Sequence, residues 1–562
     1  MKKFFRDIIA YYKRFGLRAV VFRIVDKLTG NTHITYSKWY QKVKPTRKDL
    51  EKQRNYTFEY NPDILVLKKK TDSKSRDKFI KSLDMQTYTK WKFEYCEEDE
   101  EILQKVKNSD CEYVMLANPE IILRKDMLFE CVKVLNEFPE TDAIYSDEDY
   151  VDFSRQEYLN GRLKPNLNLD LLRSMNYIYQ MLLVKRGLFL QAYDFYDAST
   201  EEKSDSNYDY IFKCVENSQN IYHIPKVLYH RNVNESQNVE NEECQSILNH
   251  YMRTGIHATV EKTEYSGIYR SRYILKESPL VSIVIPNKDH VDDLKKCINS
   301  LEEKCNYENK EYIIVENNST ENKTFEYYDE LIKKCSCASV IYWKEKGFNY
   351  SKINNYGARF AKGEYILFLN NDTEIQNSDF LQEMLGYCMR KDVGAVGARM
   401  FYEDGTIQHA GVIVGLGGLA SHPYVGAPKE TYGHMGRIHA VQELSAVTAA
   451  CVLVKKEVFE KVKGFESQYA VAFNDIDLCM KIRKAGYRII YTPYANLTHY
   501  ESKSRGTEDS REKRKRFESE IKLFEKRWEK ILKNGDPYYN RNFRLDESDF
   551  QFDIHVKKRW KL

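Results

Sequence analysis

The sequence lacks several features that would each assign a protein to a class. No apolar run in its 562 residues is long enough to cross a bilayer. Charged residues interrupt the apolar residues near the N-terminus, so we expect no signal peptide either. Lysine and arginine total 88 and acidic residues 84, a net charge of +4, and this balance gives no nucleic-acid-binding signature over the whole chain.

Cysteine pairs with a recognisable spacing are also lacking. The 12 cysteines are scattered, and the one close pair, Cys335 and Cys337, has the spacing of neither a zinc finger nor a thioredoxin motif. We therefore expect reduced thiols in a cytoplasmic protein. Aromatic residues, in contrast, are abundant, with 43 tyrosines and 27 phenylalanines, which suit large cores or surfaces that stack on sugars.

The length exceeds what one hydrophobic core usually holds, so two or three domains are expected. Strand-like apolar runs alternate with helical patterns over residues 56–235 and again over 279–505, which predicts two α/β domains with mostly parallel sheets. A polar connector at 236–278 separates them. Residues 1–55 and 506–562 are assigned to N-terminal and C-terminal helical extensions, the second with one long helix over 511–533.

Residues 1–28 combine an apolar stripe at helical spacing with many basic residues. One interpretation is an interfacial helix that lies on an anionic membrane, which would make the protein peripheral on the inner face of the cell membrane. The other is a basic helix that packs on the next domain. The sequence leaves both open.

Three predicted strands of the second α/β domain end in polar residues. The apolar run at 365–369 stops at Asn370, Asn371 and Asp372, and similar runs stop at 287–289 and 316–319. Because the carboxyl ends of parallel strands meet at one edge of a sheet, a nucleotide could lie across these residues. The carboxylates of Asp372 and Glu374 are suitable ligands for Mg²⁺ or Mn²⁺ bound to a diphosphate.

A second acidic cluster follows at residues 474–477. Asp475 is well placed to cap a helix that ends at Gly486, or to act as a general base on a hydroxyl group. Capping explains one carboxylate, but not two at the start of an apolar helix. His499 follows the next predicted strand, where it is either a structural residue or a nitrogen ligand of a metal.

Several segments of the second domain together resemble the family 2 glycosyltransferases of the GT-A fold. They occur in the order typical of that family, they extend over about 220 residues, and each is weak evidence by itself. The segments are 281–286, 314–319, 348–351, 354–357, 363–374, 448–451, 464–465 and 474–479. The fold that the resemblance implies is two tandem Rossmann-like GT-A domains with helical extensions.

The resemblance implies a role for individual residues. Asp475 would be the catalytic base, and Asp372 and His499 would hold Mn²⁺ or Mg²⁺. Glu316 stands where the family has an aspartate that contacts the nucleotide base, and Asn370 replaces the first aspartate of the D-x-D metal motif. The residues implied to bind the donor are Pro286, Asp289, Glu316, Asn317, Asn355, Asn371 and Asp372.

The first domain resembles the same fold in a degenerate form. Ala117 and Pro119 are assigned to the metal positions, and neither side chain can bind a cation. Asn207 stands at the position of the base, and an amide cannot accept a proton at neutral pH. We therefore predict that the first domain has lost catalysis and serves as a scaffold or binds the acceptor.

The resulting prediction is an inverting, metal-dependent glycosyltransferase for hexosyl or deoxyhexosyl groups. Its partners would be a nucleotide-sugar donor and a glycan or lipid-linked acceptor, in the synthesis of bacterial surface polysaccharide. Two alternatives are a bifunctional polymerase with both domains active and a non-enzymatic glycan-binding scaffold.

Overall fold

The structure is a computed structural model. It describes residue 23 and residues 33–556, apart from 70–72, 98, 118–120, 153, 156, 180, 194–206, 233–239 and 501–509. The interfacial helix predicted for residues 1–28 therefore lies, apart from Arg23, outside the described residues, as does the start of the polar connector at 236–239.

Helices and strands alternate through the first half of the chain, as the sequence predicts. The helices are α1 (Tyr36–Val43), α2 (Arg47–Arg54), α3 (Ser73–Asp84), α4 (Asp99–Lys107), α5 (Met127–Glu137), α6 (Leu169–Leu172), α7 (Arg186–Ala192), α8 (Asn207–Asn217) and α9 (Glu240–Thr254). The strands are β1 (Ile64–Lys69), β2 (Trp91–Cys96), β3 (Tyr113–Ala117), β4 (Ile121–Leu123), β5 (Ala143–Asp152), β6 (Glu157–Arg162), β7 (Leu183–Lys185), β8 (Ile221–Asn232), β9 (Ala258–Lys262) and β10 (Tyr269–Tyr273).

The second half repeats this alternation. Its helices are α10 (Val291–Glu303), α11 (Asn322–Lys334), α12 (Tyr350–Ala358), α13 (Phe380–Cys388), α14 (Lys456–Lys461), α15 (Asn474–Lys484), α16 (Arg511–Arg527) and α17 (Glu529–Asn534). Its strands are β11 (Val281–Asn287), β12 (Lys310–Glu316), β13 (Ala338–Tyr342), β14 (Tyr365–Leu369), β15 (Thr373–Ile375), β16 (Val393–Phe401), β17 (Ile407–His409), β18 (Ile413–Val414), β19 (Ala420–Ser421), β20 (Gln442–Glu443), β21 (Cys451–Lys455) and β22 (Arg488–His499).

Two large sheets are built on one plan. The first has the order β2-β1-β3-β7-β5-β8-β4, and the second has the order β12-β11-β14-β21-β16-β22-β15 with β13 added at one edge. Corresponding neighbours also run in corresponding directions: β1–β3 and β11–β14 are parallel, β3–β7 and β14–β21 antiparallel. The predicted α/β class with two Rossmann-like sheets is confirmed.

The sheets are more mixed than the sequence predicts. Strands β11 to β14 form the expected parallel half, but β21 and β15 enter the rest of the second sheet antiparallel to their neighbours. The sequence does not indicate these directions, because a buried antiparallel strand and a buried parallel strand have the same continuous apolar pattern. All five residues of β14 are buried, so the apolar run at 365–369 is a core strand.

Two further expectations are wrong in detail. The single helix predicted for 511–533 is divided at Trp528 into α16 and α17. Cys335 and Cys337 are joined by a disulfide, with Cα atoms 5.2 Å apart, while the other ten cysteines are free thiols as predicted. A short turn after α11 brings these two side chains together, which their spacing alone did not indicate.

Buried polar contacts join the two halves. The Asp170 carboxylate accepts hydrogen bonds from both terminal nitrogens of Arg390, and Asn168 Nδ2 donates to the backbone oxygen of Glu443 at 2.9 Å. Residues beyond α17 return to the first sheet, where Asn540 Nδ2 donates to Asp147 Oδ2 at 2.9 Å. Within the described ranges, no helix is long and apolar enough to cross a membrane.

Candidate active site

The polar ends of three neighbouring strands meet at one edge of the second sheet. Asn287 at the end of β11 is in register with Glu316 at the end of β12. Asn371 Nδ2 donates to Asn287 Oδ1 at 2.7 Å, and Asn287 Nδ2 donates to the Tyr328 hydroxyl at 2.8 Å. That hydroxyl donates in turn to Glu316 Oε2 at 2.7 Å. A continuous hydrogen-bonded chain therefore connects β14, β11 and β12 at the predicted edge.

Glu316 is the buried end of this chain. It is 2% exposed, and its two oxygens accept from the Ser319 backbone N–H, from Ser319 Oγ at 2.6 Å and from Tyr328. The carboxylate thus holds the loop that follows β12. Its predicted contact with a nucleotide base would have to use the lone pairs that these donors leave.

Asp289 secures the same loop from the neighbouring strand. Asp289 Oδ1 accepts from the backbone N–H groups of Thr320 at 2.8 Å and Glu321 at 2.9 Å. Partial burial alone would raise the pKa of this carboxyl, but the backbone donors lower it below its usual value. The carboxylate is therefore ionised and fixed beside the strand ends.

Three other predicted donor-binding residues have different surroundings. Pro286 lies within β11 opposite Val315, one residue before the strand ends. Asn317 is buried, and its backbone N–H donates to the Asn287 backbone oxygen at 2.8 Å. These two residues shape the edge through the backbone.

Asn355 lies on α12, and the structure engages its amide in a different contact. Its Nδ2 donates to the Phe465 backbone oxygen at 2.8 Å, and its Oδ1 accepts from the Phe465 backbone N–H at 2.9 Å. Gly464 has φ +59°, and a Cβ there would lie 2.4 Å from Asn355 Oδ1, so only glycine fits this approach. Asn355 thus clips the 464–465 turn to α12.

Asp372 and His499 face each other where β15 pairs with the end of β22. His499 Nε2 lies 3.1 Å from Asp372 Oδ1 and 3.2 Å from Asn370 Nδ2. His499 Nδ1 lies 2.7 Å from Gln408 Oε1, an oxygen that accepts, so Nδ1 carries a hydrogen and Nε2 is the ring nitrogen that faces Asp372. Nε2 and Oδ1 are thereby held side by side, and a cation bound between them would have one nitrogen and one oxygen ligand.

This donor set fits a divalent cation that completes its shell with phosphate and water. Among the described residues, no group of three or more histidine, cysteine and acidic side chains could enclose a metal. Mg²⁺ is commonly held by one or two protein ligands and substrate phosphates, and carboxylates also suit Mn²⁺. Gln408 fixes the orientation of the His499 ring through its contact with Nδ1.

Asp475 lies in the first turn of α15 and is half-buried. Its Oδ1 accepts from the Ile476 backbone N–H at 2.8 Å, and its Oδ2 accepts from the Ala449 backbone N–H at 3.3 Å. These contacts leave lone pairs on both oxygens and direct the carboxylate toward the start of β21. The residue could therefore both cap the helix and accept a proton.

The first sheet has recognisable counterparts of these positions. Three residues separate β3 from β4, and three separate β14 from β15. Counted in this way, Asn118 and Glu120 would correspond to Asn370 and Asp372, one residue after the Ala117 and Pro119 that the sequence assigns to the metal positions. Residues 118–120 themselves lie outside the described part of the chain.

The residue that pairs with the strand next to the metal position differs between the two sheets. Thr373 on β15 is in register with His499, whereas Ile121 on β4 is in register with Arg231. The Arg231 guanidinium stacks on the Tyr179 ring with its carbon 3.7 Å from the ring centre. Asn207 begins α8 and donates from Nδ2 to the Tyr179 backbone oxygen at 2.6 Å. A fixed cation and an amide thus stand where the second sheet has an imidazole and a carboxylate.

Sequence reasoning missed two residues of the site. Tyr328 lies in the middle of α11, where its hydroxyl joins Asn287 to Glu316, and an amphipathic helix gives no signal for such a role. Gln408 lies on the short strand β17, in a Gly-rich region. Its link to His499 depends on contacts 91 residues apart, which local patterns do not reveal.

Comparison with known proteins gives one family match and several relatives. Residues 282–462 match the model of "Glycosyl transferase family 2", a range that ends before Asp475 and His499. "Uncharacterized protein y4gI" of Sinorhizobium fredii is 35% identical over 461 residues, 80% of this chain and 50% of the relative. "O-antigen biosynthesis protein RfbC" of Myxococcus xanthus is 32% identical over 73% of this chain and 32% of the relative.

A shorter relative is matched over most of its own length. "Rhamnosyltransferase WbbL" of Escherichia coli is 25% identical over 242 residues, which are 39% of this chain and 83% of the relative. The chain spans half or less of the length of the two more similar relatives.

Proposed function

We propose, for a chain whose residues 282–462 form a family 2 glycosyl transferase domain, that it is an inverting glycosyltransferase. It would move a sugar from a nucleotide-sugar donor to a glycan or lipid-linked acceptor. The observation that carries the proposal is the Asp372–His499 pair in the same sheet as the hydrogen-bonded strand ends. Asp475 supplies the second requirement, because the proposed transfer needs both a metal site and a separate carboxylate.

The strand ends would bind the donor. The nucleotide would lie across β11, β12 and β14, against the loop that Asp289 and Glu316 hold. Asp372 and His499 would hold Mn²⁺ or Mg²⁺, which when bound supplies positive charge for the leaving diphosphate. Asn371 is fixed by Asn287 and so preserves the shape of this edge.

Asp475 would act on the acceptor. Its carboxylate would take the proton from an acceptor hydroxyl, whose oxygen attacks the anomeric carbon as the bond to the diphosphate breaks. A single displacement with one base and no covalent intermediate inverts the anomeric configuration. The backbone donors from Ala449 and Ile476 keep the carboxylate in place for this step.

The relatives support a class of substrate. One is named for O-antigen biosynthesis and another is named a rhamnosyltransferase, so we include deoxyhexosyl with hexosyl groups and place the reaction in bacterial surface polysaccharide synthesis. In this setting a lipid-linked acceptor would lie at the membrane. Residues 1–28 would then provide a peripheral contact, with the catalytic domain on the cytoplasmic side.

A donor screen tests the proposal. Thermal unfolding is measured with UDP-, dTDP- and GDP-sugars, each with Mn²⁺ and with EDTA. A ligand present at 100 times its Kd adds about 2.7 kcal/mol to the free energy of unfolding, so the true donor should stand out. Transfer from that donor is then assayed, and its product is examined for anomeric configuration.

Three outcomes oppose parts of the proposal. Binding of a glycan without binding of any nucleotide sugar favours a non-enzymatic scaffold. Retention of configuration contradicts the single displacement. Turnover of two different donors, one of them unaffected by Asp475→Asn, favours a bifunctional polymerase.

A further inference from the structure

The C-terminal helix α16 contacts the segment that leads into Asp475. This segment, residues 470–474, begins a few residues after the turn at 464–465 that Asn355 holds, and it leads into α15. Glu520 on α16 is 1% exposed, although it is a charged residue in a strongly charged helix. Helix α16 lies outside the range that matches the transferase family, so its contribution to the site is not part of that match.

Glu520 binds three successive backbone N–H groups. Its Oε1 accepts from Ala470 at 2.7 Å and Val471 at 3.0 Å, and its Oε2 accepts from Ala472 at 3.3 Å. Donors arranged in this way form a concave anion site, and a carboxylate there fixes the path of the backbone. A neutral side chain could not satisfy all three groups.

The residue that follows this clamp has an unfavourable backbone conformation. Phe473 has φ +63°, in the left-handed region that residues other than glycine rarely occupy. Its ring stacks on Phe524 of α16 with the ring centres 4.8 Å apart. Such a conformation persists when surrounding contacts determine it, and it often occurs at functional sites. The contacts here come from Glu520 before Phe473 and from Phe524 beside it.

The end of α16 holds the other side of the same helix turn. Asp477 is fully buried, and burial raises the pKa of its carboxyl although Arg527 and Lys481 oppose this. Asp477 Oδ1 accepts from Trp528 Nε1 at 2.9 Å and lies 3.2 Å from Arg527 Nε. Asp475 therefore lies between a clamp three residues earlier and an anchor two residues later, and α16 with Trp528 supplies both.

We infer that Glu520 is a positioning residue for Asp475, and that α16 thereby contributes to the transferase site. This inference rests on the proposed function. The carboxylate of Glu520 does not touch substrate, but it fixes the backbone that carries the base. A base that is displaced by about 1 Å loses much of its effect, while donor binding at the β11, β12 and β14 ends stays intact.

The test compares Glu520→Ala, Glu520→Gln and Glu520→Asp in the full chain. We expect kcat to fall about a hundredfold in E520A and about tenfold in E520Q, with KM for the donor within about twofold of wild type. E520D keeps the charge and should recover part of the loss. Binding of Mn²⁺ with the nucleoside diphosphate that gives the largest thermal shift should be unchanged in all three.

Two controls make the result decisive. Glu518→Gln removes an exposed carboxylate from the same helix, and its kcat should equal that of wild type. Asp475→Asn separates the two proposals: turnover in D475N would overturn the base assignment and with it the proposed mechanism. Loss in D475N with full kcat in E520A would overturn the positioning role alone. Equal loss of kcat and nucleotide binding in all Glu520 variants would also overturn it, because Glu520 would then support the whole fold.

Discussion

The two large sheets share a strand order, but the acidic side chains of the two sheets have different surroundings. In the second sheet, Asp372 lies beside His499, and Asp475 lies on a helix start with free lone pairs. In the first sheet, the acidic run at the middle of β5 is completely buried. The same plan therefore supports a candidate site in one half and internal ion pairs in the other.

The acidic run of the first sheet is neutralised by its neighbours. Lys164 Nζ donates to Glu148 Oε2 at 3.1 Å, and although burial would raise the pKa of Glu148, Lys164 and Arg231 lower it. Asp149 contacts His230 and accepts from the Tyr36 hydroxyl at 2.6 Å. Carboxylates that already have such partners stabilise a core and are not available to a metal. The comparison teaches that acidic residues on or after a strand identify a site only when no cation of the chain neutralises them.

The largest expected effect is the loss of the proposed base, Asp475, whose counterpart in the first domain is Asn207. Asp475→Asn should reduce kcat by about a thousandfold, equivalent to about 4 kcal/mol, because the amide cannot accept the acceptor proton. Nucleotide binding should be unchanged, which a thermal-shift titration would check. Substantial turnover in this variant would remove the distinction between the two domains.

A second prediction concerns the support that the first domain gives. The Asp170 carboxylate is 1% exposed, and its removal as Asp170→Asn should cost about 3 kcal/mol of unfolding free energy, because Arg390 loses its buried partner. Denaturant unfolding at neutral pH would measure this loss. An unchanged midpoint would show that the contact between the halves is dispensable.

The same residue gives a pH dependence with a defined sign. Burial would raise the pKa of Asp170, but Arg390 and Arg173 hold it well below its usual value. Its stabilising effect is therefore present above the unfolded pKa of about 4 and is lost as the pH falls toward the folded pKa. The stability difference between wild type and D170N should shrink steadily below pH 4. A difference that stays constant from pH 6 to pH 2 would contradict the ion pair.

A third prediction compares the two metal positions. Asp372→Ala should weaken Mn²⁺-dependent donor binding about thirtyfold, or about 2 kcal/mol, because the cation loses its carboxylate ligand. Glu120→Ala, at the corresponding place in the first half, should leave binding unchanged. Calorimetry should give one donor per chain in wild type. Two donors per chain, or equal losses in both variants, would show that the first domain binds donor too.

The smallest effect is expected at the base position of the first domain. Asn207→Ala should change kcat by less than about twofold, because the Asn207 amide ties α8 to the Tyr179 backbone and cannot accept a proton. The melting temperature of the variant, measured in parallel, would show whether it remains folded. A selective loss of transfer with a normal melting curve would make the first domain part of the chemistry.

Much of this architecture is readable from local patterns. The runs at 281–286, 312–315 and 365–369 are the cores of β11, β12 and β14, because continuous apolar runs of this length form buried strands. The resemblance to family 2 glycosyltransferases, based on short motifs in order, is confirmed over residues 282–462. The roles of Asp372, His499 and Asp475 remain predictions, which the variants above address.

Local sequence patterns were less informative about which side chains have partners inside the folded chain. The predicted donor-binding residues Glu316 and Asn355 both have firm partners inside the chain, and Asn355 holds the turn at Phe465. In the first half, a count from the strand boundaries would place the metal position at Glu120 and not at Pro119. A sequence motif counts residues from a presumed strand end, whereas the hydrogen bonds of the sheet decide where the strand ends.

The sequence by itself determined where strands and helices form and which carboxylates follow them, because these depend on residues close together in the chain. Tertiary structure decided which carboxylates are neutralised, which are clamped and which keep lone pairs for a ligand. Glu148 meets Lys164, Glu520 meets the backbone before Asp475, and Asp372 meets His499 after 126 intervening residues. Electrostatic environment depends on distance in space, so only the folded chain fixes it.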